Sequence, residues 1–246
     1  MVICKRLLLL TVVFLITLAS VMGQTRQSAS SGSRELSVEQ SYLQESIELM
    51  IIREQSRAES RDMKLVALDY IGDAISRDNR GDEIRSALEY LSLEGVVNKT
   101  RENGRLVNNY PDVRMKAATY LGEVGTPQAK DALIKMVLAD NESMVITEAI
   151  KSLAKIGIND NEETVNAISW IVTRYDVLNP DNLLALSAIE AYEKIAEANG
   201  GIKDPSAIRT LIRIAEGPYI RVVQERAKEA LMDLRRYNAQ NQQQGR

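Results

Sequence analysis

Bond-making chemistry has few side chains to work with in this sequence. There is no histidine, and the single cysteine, Cys4, lies within the first few residues. Ser–His and Cys–His nucleophile pairs, imidazole metal ligands and thiolate zinc sites are therefore not available beyond that point. No Gly-rich phosphate cradle of the G-x-x-x-x-G-K-[ST] or G-x-G-x-x-G type occurs. Carboxylates are plentiful, but they fall mostly at outward helix positions, where pairing with Lys or Arg on the same face is the ordinary role. The expectation is a protein without catalytic residues, metal or other cofactor.

Binding chemistry is better represented. Between Gly95 and Tyr110 lie Lys99, Arg101 and Arg105 against Glu102 alone, in a stretch that also holds Asn108 and runs up to Arg114. A projecting basic insert of this kind either belongs to a binding face or is a tolerated surface loop, since long insertions cost little stability. A second candidate surface is formed by Asp69, Thr119, Lys151, Glu190 and Glu229, which recur at one outward position of successive helices. Their signs are mixed, which suits a protein partner with its own charge pattern rather than a polyanion. The candidate partner-binding residues are thus Lys99, Arg101, Arg105, Asn108, Tyr110, Arg114, Thr119, Lys151 and Glu190.

These residues are carried on a helical framework. Apolar residues recur at i, i+3, i+4 and i+7 in Ile84/Ala87/Leu88/Leu91 and in Ile146/Ala149/Ile150/Leu153. The same spacing holds in Ile168/Ile171/Val172/Tyr175, Ala185/Ala188/Ile189/Tyr192, Ile208/Leu211/Ile212/Ala215 and Ala227/Ala230/Leu231/Leu234. Thr126-Pro127 and Asp204-Pro205 read as helix starts, and Gly125, Gly157 and Gly200-Gly201 as helix stops. The pattern predicts ten helices, near 37–57, 62–77, 82–94, 111–123, 127–139, 143–156, 162–176, 181–198, 205–216 and 220–236. No segment in this span alternates with the period of a strand, so the fold class is all-α.

Every second helix repeats one phrase. Ala67 begins ALDYIGDAI, Ala117 AATYLGEVG, Ala149 AIKSLAKIG, Ala188 AIEAYEKIA and Ala227 AKEALMDLR. Each alanine is followed four places on by a bulky residue: Ile71, Leu121, Leu153, Tyr192 and Leu231. Self-similarity at intervals of roughly 20–50 residues marks a solenoid, in which helix pairs stack because none can bury its stripe alone. The phrase Asp112-Val113-Arg114, Ala117-Ala118, Tyr120-Leu121-Gly122, then Gly125 and Thr126-Pro127, resembles the HEAT family. It is closest to the short bacterial HEAT-like repeats first described in phycobilin lyases. The resemblance implies an alpha-alpha superhelix of about five antiparallel helix pairs, with the second helices on the concave face. It does not imply lyase chemistry. Gly72 and Gly122, at equivalent places in two phrases, are expected to let neighbouring helices approach closely.

The ends are different in kind. Lys5 and Arg6 precede an apolar run from Leu7 to Met22, with Val21 and Gly23 placed for cleavage before Gln24, as in a secretory signal. The run is short for a spanning helix, which needs about 20 residues; an uncleaved anchor is the alternative. The expected organisation is a signal peptide at 1–23, a polar linker at 24–36, the solenoid at 37–236 and a disordered polar tail at 237–246. The chain has 31 basic and 34 acidic residues; without Lys5 and Arg6 the balance is 29 against 34. That sign gives no reason to bind nucleic acid. The functional expectation is a periplasmic, non-catalytic scaffold for a protein partner, with an envelope or motility assembly as its expected setting. The alternatives are a carrier of lipid or peptide in the concave groove and a lyase-like enzyme, and secretion is the alternative location.

Overall fold

The computed structural model describes residues 37–244. The expected signal peptide and linker lie outside the described residues. The chain divides into two units, Met1–Tyr42 and Leu43–Arg246. Of the first, the described part is the opening of helix α1 (Val38–Arg57). There the Ser37 N–H donates to Gln40 Oε1 and the Gln40 N–H donates to Ser37 Oγ, each at 3.2 Å. This reciprocal pair is a capping box, and it satisfies two of the donors a helix start leaves open.

The second unit is a two-layered stack of helices. After α1 come α2 (Arg61–Ser76), α3 (Asp82–Ser92), α4 (Pro111–Val124), α5 (Pro127–Ala139) and α6 (Ser143–Ile156). They are followed by α7 (Glu163–Leu178), α8 (Asn182–Asn199), α9 (Pro205–Glu216) and α10 (Arg221–Gln244). Helices α2, α4, α6, α8 and α10 pack successively into one layer, and α3, α5, α7 and α9 into the other. The phrase-bearing helices are thus the second helices of their pairs, as a solenoid requires.

The core runs along the boundary of the two layers. Ala67, Ala117, Ala149, Ala188 and Ala227 are all fully buried, and so are Ile71, Leu121, Leu153 and Tyr192. Leu231, the equivalent residue of the last phrase, is only partly buried. Small side chains set the spacing within the second-helix layer. A Cβ at Gly122 would stand 2.8 Å from the Cβ of Ser152 on α6, and one at Gly72 would stand 2.3 Å from the Tyr120 hydroxyl on α4. Both glycines are packing residues: a larger side chain at Gly122 would press on the Ser152 Cβ and Cα and push its helix away, whereas at Gly72 the Tyr120 ring would have to swing aside.

Helix ends follow the sequence closely. Thr126 Oγ1 accepts the Ala129 N–H at 3.2 Å, and Asp204 Oδ1 accepts the Ser206 N–H at 2.6 Å. Gly125 closes α4 in the left-handed conformation, with φ of 69°. Two features depart from expectation. Helix α10 runs to Gln244, past the expected end at 236, because Asn and Gln are tolerated in helices and nothing breaks the pattern before Gly245. The insert contains a small antiparallel hairpin, Arg101–Glu102 against Arg105–Leu106, within a chain that is otherwise helical among the described residues.

Candidate functional site

The insert between α3 and α4 is a folded loop with a fixed base and an open tip. At its start the Leu93 carbonyl accepts from the N–H groups of Val96, Val97 and Asn98, and the Gly95 N–H donates to the Asn98 carbonyl at 2.9 Å. At its end Asn108, only 5% exposed, works as a clamp. Its Nδ2 donates to the Glu94 carboxylate at 2.8 Å and to the Asn98 carbonyl at 2.6 Å, and its Oδ1 accepts the Thr100 N–H at 2.8 Å. Every hydrogen-bonding group of that amide, apart from spare acceptor capacity, is committed to holding the loop ends together.

Above the clamp the chain turns back on itself through Asn103 and Gly104, with φ of 50° and 82°. Two successive positive φ values make a primed turn, whose twist matches that of paired strands. Arg101 Nη1 donates to the Gly104 carbonyl at 3.0 Å and closes the turn. Lys99, Arg101 and Arg105 are all exposed on this hairpin, and so are Val97, Leu106 and Val107. The tip therefore presents guanidinium and ammonium donors beside apolar surface, the combination that anchors protein interfaces.

Below the clamp lies a chain of buried charges. Lys64, on α2, is 1% exposed; its Nζ lies 3.1 Å from Glu94 Oε2, donates to the Ser56 carbonyl at 3.1 Å and stands 5.3 Å from the centre of the Tyr90 ring. Arg114, also 1% exposed, holds both oxygens of Asp140, with Nε–Oδ2 at 2.6 Å and Nη2–Oδ1 at 3.2 Å. Its Nη1 donates to the Glu94 carbonyl and to Asn109 Oδ1. Asp140 in turn accepts the N–H groups of Asn141 and Glu142, just ahead of α6. The paired and hydrogen-bonded ends satisfy charges that burial alone would penalise by several kcal/mol each, on the order of the desolvation cost.

Two sequence expectations are corrected here. Asn108 and Arg114 were expected on a partner-binding surface, but burial removes both from it and gives them the task of fixing the insert. Tyr110 is half-buried; it precedes α4 and its hydroxyl donates to the Glu59 carbonyl at 3.3 Å. Lys64, Glu94 and Asp140 carry no sequence signal of their own. Each lies at the end of a periodic stripe, where burial is decided by the neighbouring repeat. The Asn103-Gly104 turn did carry a signal, the commonest dipeptide of two-residue hairpins.

The second candidate surface is separate from the insert. Thr119, Lys151 and Glu190 lie at equivalent places on α4, α6 and α8, the last two exposed and Thr119 half-buried. Thr119 donates to Glu148 on the next helix at 2.7 Å. Ionic contacts span the layer in the same way: Lys116 with Asp69 at 2.5 Å, Lys155 with Glu123, and Arg226 with both oxygens of Glu193 at 2.5 and 2.6 Å. The hydrogen bond to Asp69 raises the Lys116 pKa, and the one to Glu193 raises that of Arg226. Ion pairs therefore link neighbouring second helices, while Met63, Val66, Tyr70, Met144, Val222 and Met232 stand exposed on the same helices.

Comparison with known families picks out the middle of this architecture. Residues 105–176, from the second hairpin strand through most of α7, match the model for HEAT repeats. This stretch is similar to HEAT repeats. The curated proteins gave no match to the chain. HEAT repeats generally mediate protein–protein interaction. The matched segment contains Arg105, the clamp residue Asn108, the Arg114–Asp140 pair, and both Thr119 and Lys151.

Proposed function

We propose that this chain is an exported, non-catalytic HEAT-repeat scaffold, which holds a protein partner through the basic hairpin. The observation that carries the reading is the clamp at the base of the insert. A slack surface loop would have to be ordered on binding, at roughly 1–2 kcal/mol per residue of backbone. Here Asn108, Glu94 and Arg114 have already fixed the loop ends, so the exposed Lys99, Arg101 and Arg105 are presented in advance. The ion pairs that bridge successive second helices, Lys116 with Asp69, Lys155 with Glu123 and Arg226 with Glu193, support this role over that of a carrier, because they set charges across the layer where a lipid would lie. The leader-like residues at 1–23 favour a location beyond the cytoplasmic membrane, which cell fractionation with an epitope-tagged chain would test.

The deciding experiment is crosslinked affinity capture of the tagged protein from intact cell envelopes. It is run in parallel on the native chain and on a Lys99→Glu/Arg101→Glu/Arg105→Glu variant. These side chains are exposed, so the variant is expected to keep its thermal unfolding midpoint and to lose a discrete set of captured proteins. Equal capture by both forms would reject the hairpin as the docking element.

A further inference from the structure

A groove in the other layer points to a second contact. It has a volume of about 540 Å³ and runs between α7 and α9. Asn166, Ser169, Trp170 and Thr173 form one wall, and Ser206, Arg209, Thr210 and Arg213 the other. Resting on the scaffold reading above, we infer that this groove is a docking site for an extended acidic stretch of a protein partner.

Charge decides the sign of the occupant. The lining holds two arginines and no carboxylate, in a chain where acids outnumber bases 34 to 31. Arg213 has one acidic neighbour behind it, Asp176, with Nε–Oδ2 at 3.3 Å. Arg209 is exposed; the charge it feels from its own chain is that of Asp204, whose carboxyl is already held by the Ser206 N–H. Guanidinium groups in such a setting favour carboxylates, which they can grip with two parallel N–H donors.

Shape and the remaining side chains argue for a peptide rather than a free anion. Trp170 is the one tryptophan of the chain, and it is left 49% exposed. Its ring is steadied by the Arg174 guanidinium, 5.5 Å from the ring centre, which itself donates to Asn141 Oδ1 at 2.8 Å. A fixed indole beside arginines is the composition of an interface hot spot. The floor is hydroxylic: Ser169 and Thr210 are 7% and 4% exposed, and Ser169 Oγ lies 2.8 Å from the buried Tyr192 hydroxyl and 3.3 Å from Ser206 Oγ. From Asn166 to Thr173 the wall is two helical turns, about 10 Å at ~1.5 Å per residue. About three residues of extended chain cover that length at ~3.3 Å each. The hydroxyl groups of Ser169, Thr173 and Thr210 line the groove for the main chain of such a segment, while the arginines take its carboxylates and the indole an apolar side chain.

Because Trp170 is the sole indole, its fluorescence reads this groove directly. The test titrates the purified protein with an acetylated, amidated pentapeptide Glu-Glu-Leu-Glu-Glu. Its controls are the Gln-Gln-Leu-Gln-Gln counterpart and an oligothymidylate. The expected result is a saturable emission change with the glutamate peptide, at least about tenfold weaker with the glutamine form. Arg209→Glu should abolish it and Arg209→Lys should retain most of it, with far-UV circular dichroism unchanged in both. No saturation, equal binding of the glutamine peptide, indifference to Arg209→Glu, or equal binding of the oligothymidylate would each overturn the proposal. The scaffold reading is judged separately, by envelope capture with the hairpin variant, so a failed titration beside a successful capture removes the groove alone.

Discussion

Arg114 combines a full charge with 1% exposure, and three groups share its guanidinium: the Asp140 carboxylate, the Glu94 carbonyl and Asn109. Removing one partner of a buried pair costs roughly 3–5 kcal/mol, since the other charge stays behind without compensation. Arg114→Met is expected to lower stability by about that amount in urea unfolding. Adding Asp140→Asn to it should recover part of the loss, because the amide oxygen still accepts from Asn141 and Glu142. Asp204 offers a pH-dependent counterpart. Hydrogen bonds from the Ser206 side chain and N–H hold its carboxyl below the ordinary 3.8. Its contribution is therefore present above that value and lost as pH falls through the lower folded-state pKa. Asp204→Ala is expected to cost about 1 kcal/mol near neutrality, and its difference from the parent should shrink in acid unfolding curves as pH falls through the lowered folded-state pKa. Neither role was visible in the sequence at equal depth. Asp204 before a proline announced a cap, whereas Arg114 in a repeated phrase said nothing of its burial, which depends on Glu94 and Asp140 arriving from other elements.

Among elements, the helices were the most legible, because each had to bury a 3.6-residue stripe against its neighbours. Helices α5, α6 and α9 occupy the expected residues, at 127–139, 143–156 and 205–216. The exceptions have local causes. The uninterrupted Asn/Gln stretch lets α10 continue, and the insert forms a hairpin because Asn103 and Gly104 tolerate positive φ. Trp170 marked the groove in a quiet way, as a large residue standing outside the Ile168/Ile171/Val172/Tyr175 stripe. The clamp and the hairpin tip separate cleanly. Replacing residues 101–106 by two glycines, which keeps Thr100 and its bond to Asn108, is expected to leave stability within ~1 kcal/mol, since loop length costs little. Asn108→Ala should cost about 1–3 kcal/mol by leaving the Glu94 carboxylate without its donor and the Thr100 N–H without its acceptor. Differential scanning calorimetry on the two variants checks the contrast; a larger loss from the excision would mean the tip itself supports the fold.

At the scale of the whole stack, each helix pair touches chiefly its sequence neighbours, so stability is shared unevenly along the molecule. Leu234, 1% exposed on the last helix, is a test of this. Leu234→Ala is expected to cost roughly 2–5 kcal/mol locally and to pull the circular-dichroism transition to lower urea than the Trp170 fluorescence transition. Coincident transitions would show a single cooperative unit instead. The buried charges bear on a different problem. Alanine-lined phrases that resemble one another could stack in the wrong order or exchange between molecules with little loss of apolar burial. Lys64 with Glu94, and Arg114 with Asp140, meet only when the proper neighbours are side by side; a stack that separates those neighbours leaves their charges buried without partners. The two ion pairs are expected to penalise wrong order in the first half of the stack. A chain in which all four become apolar should remain stable yet populate several arrangements, visible as multiple species in native ion-mobility spectra.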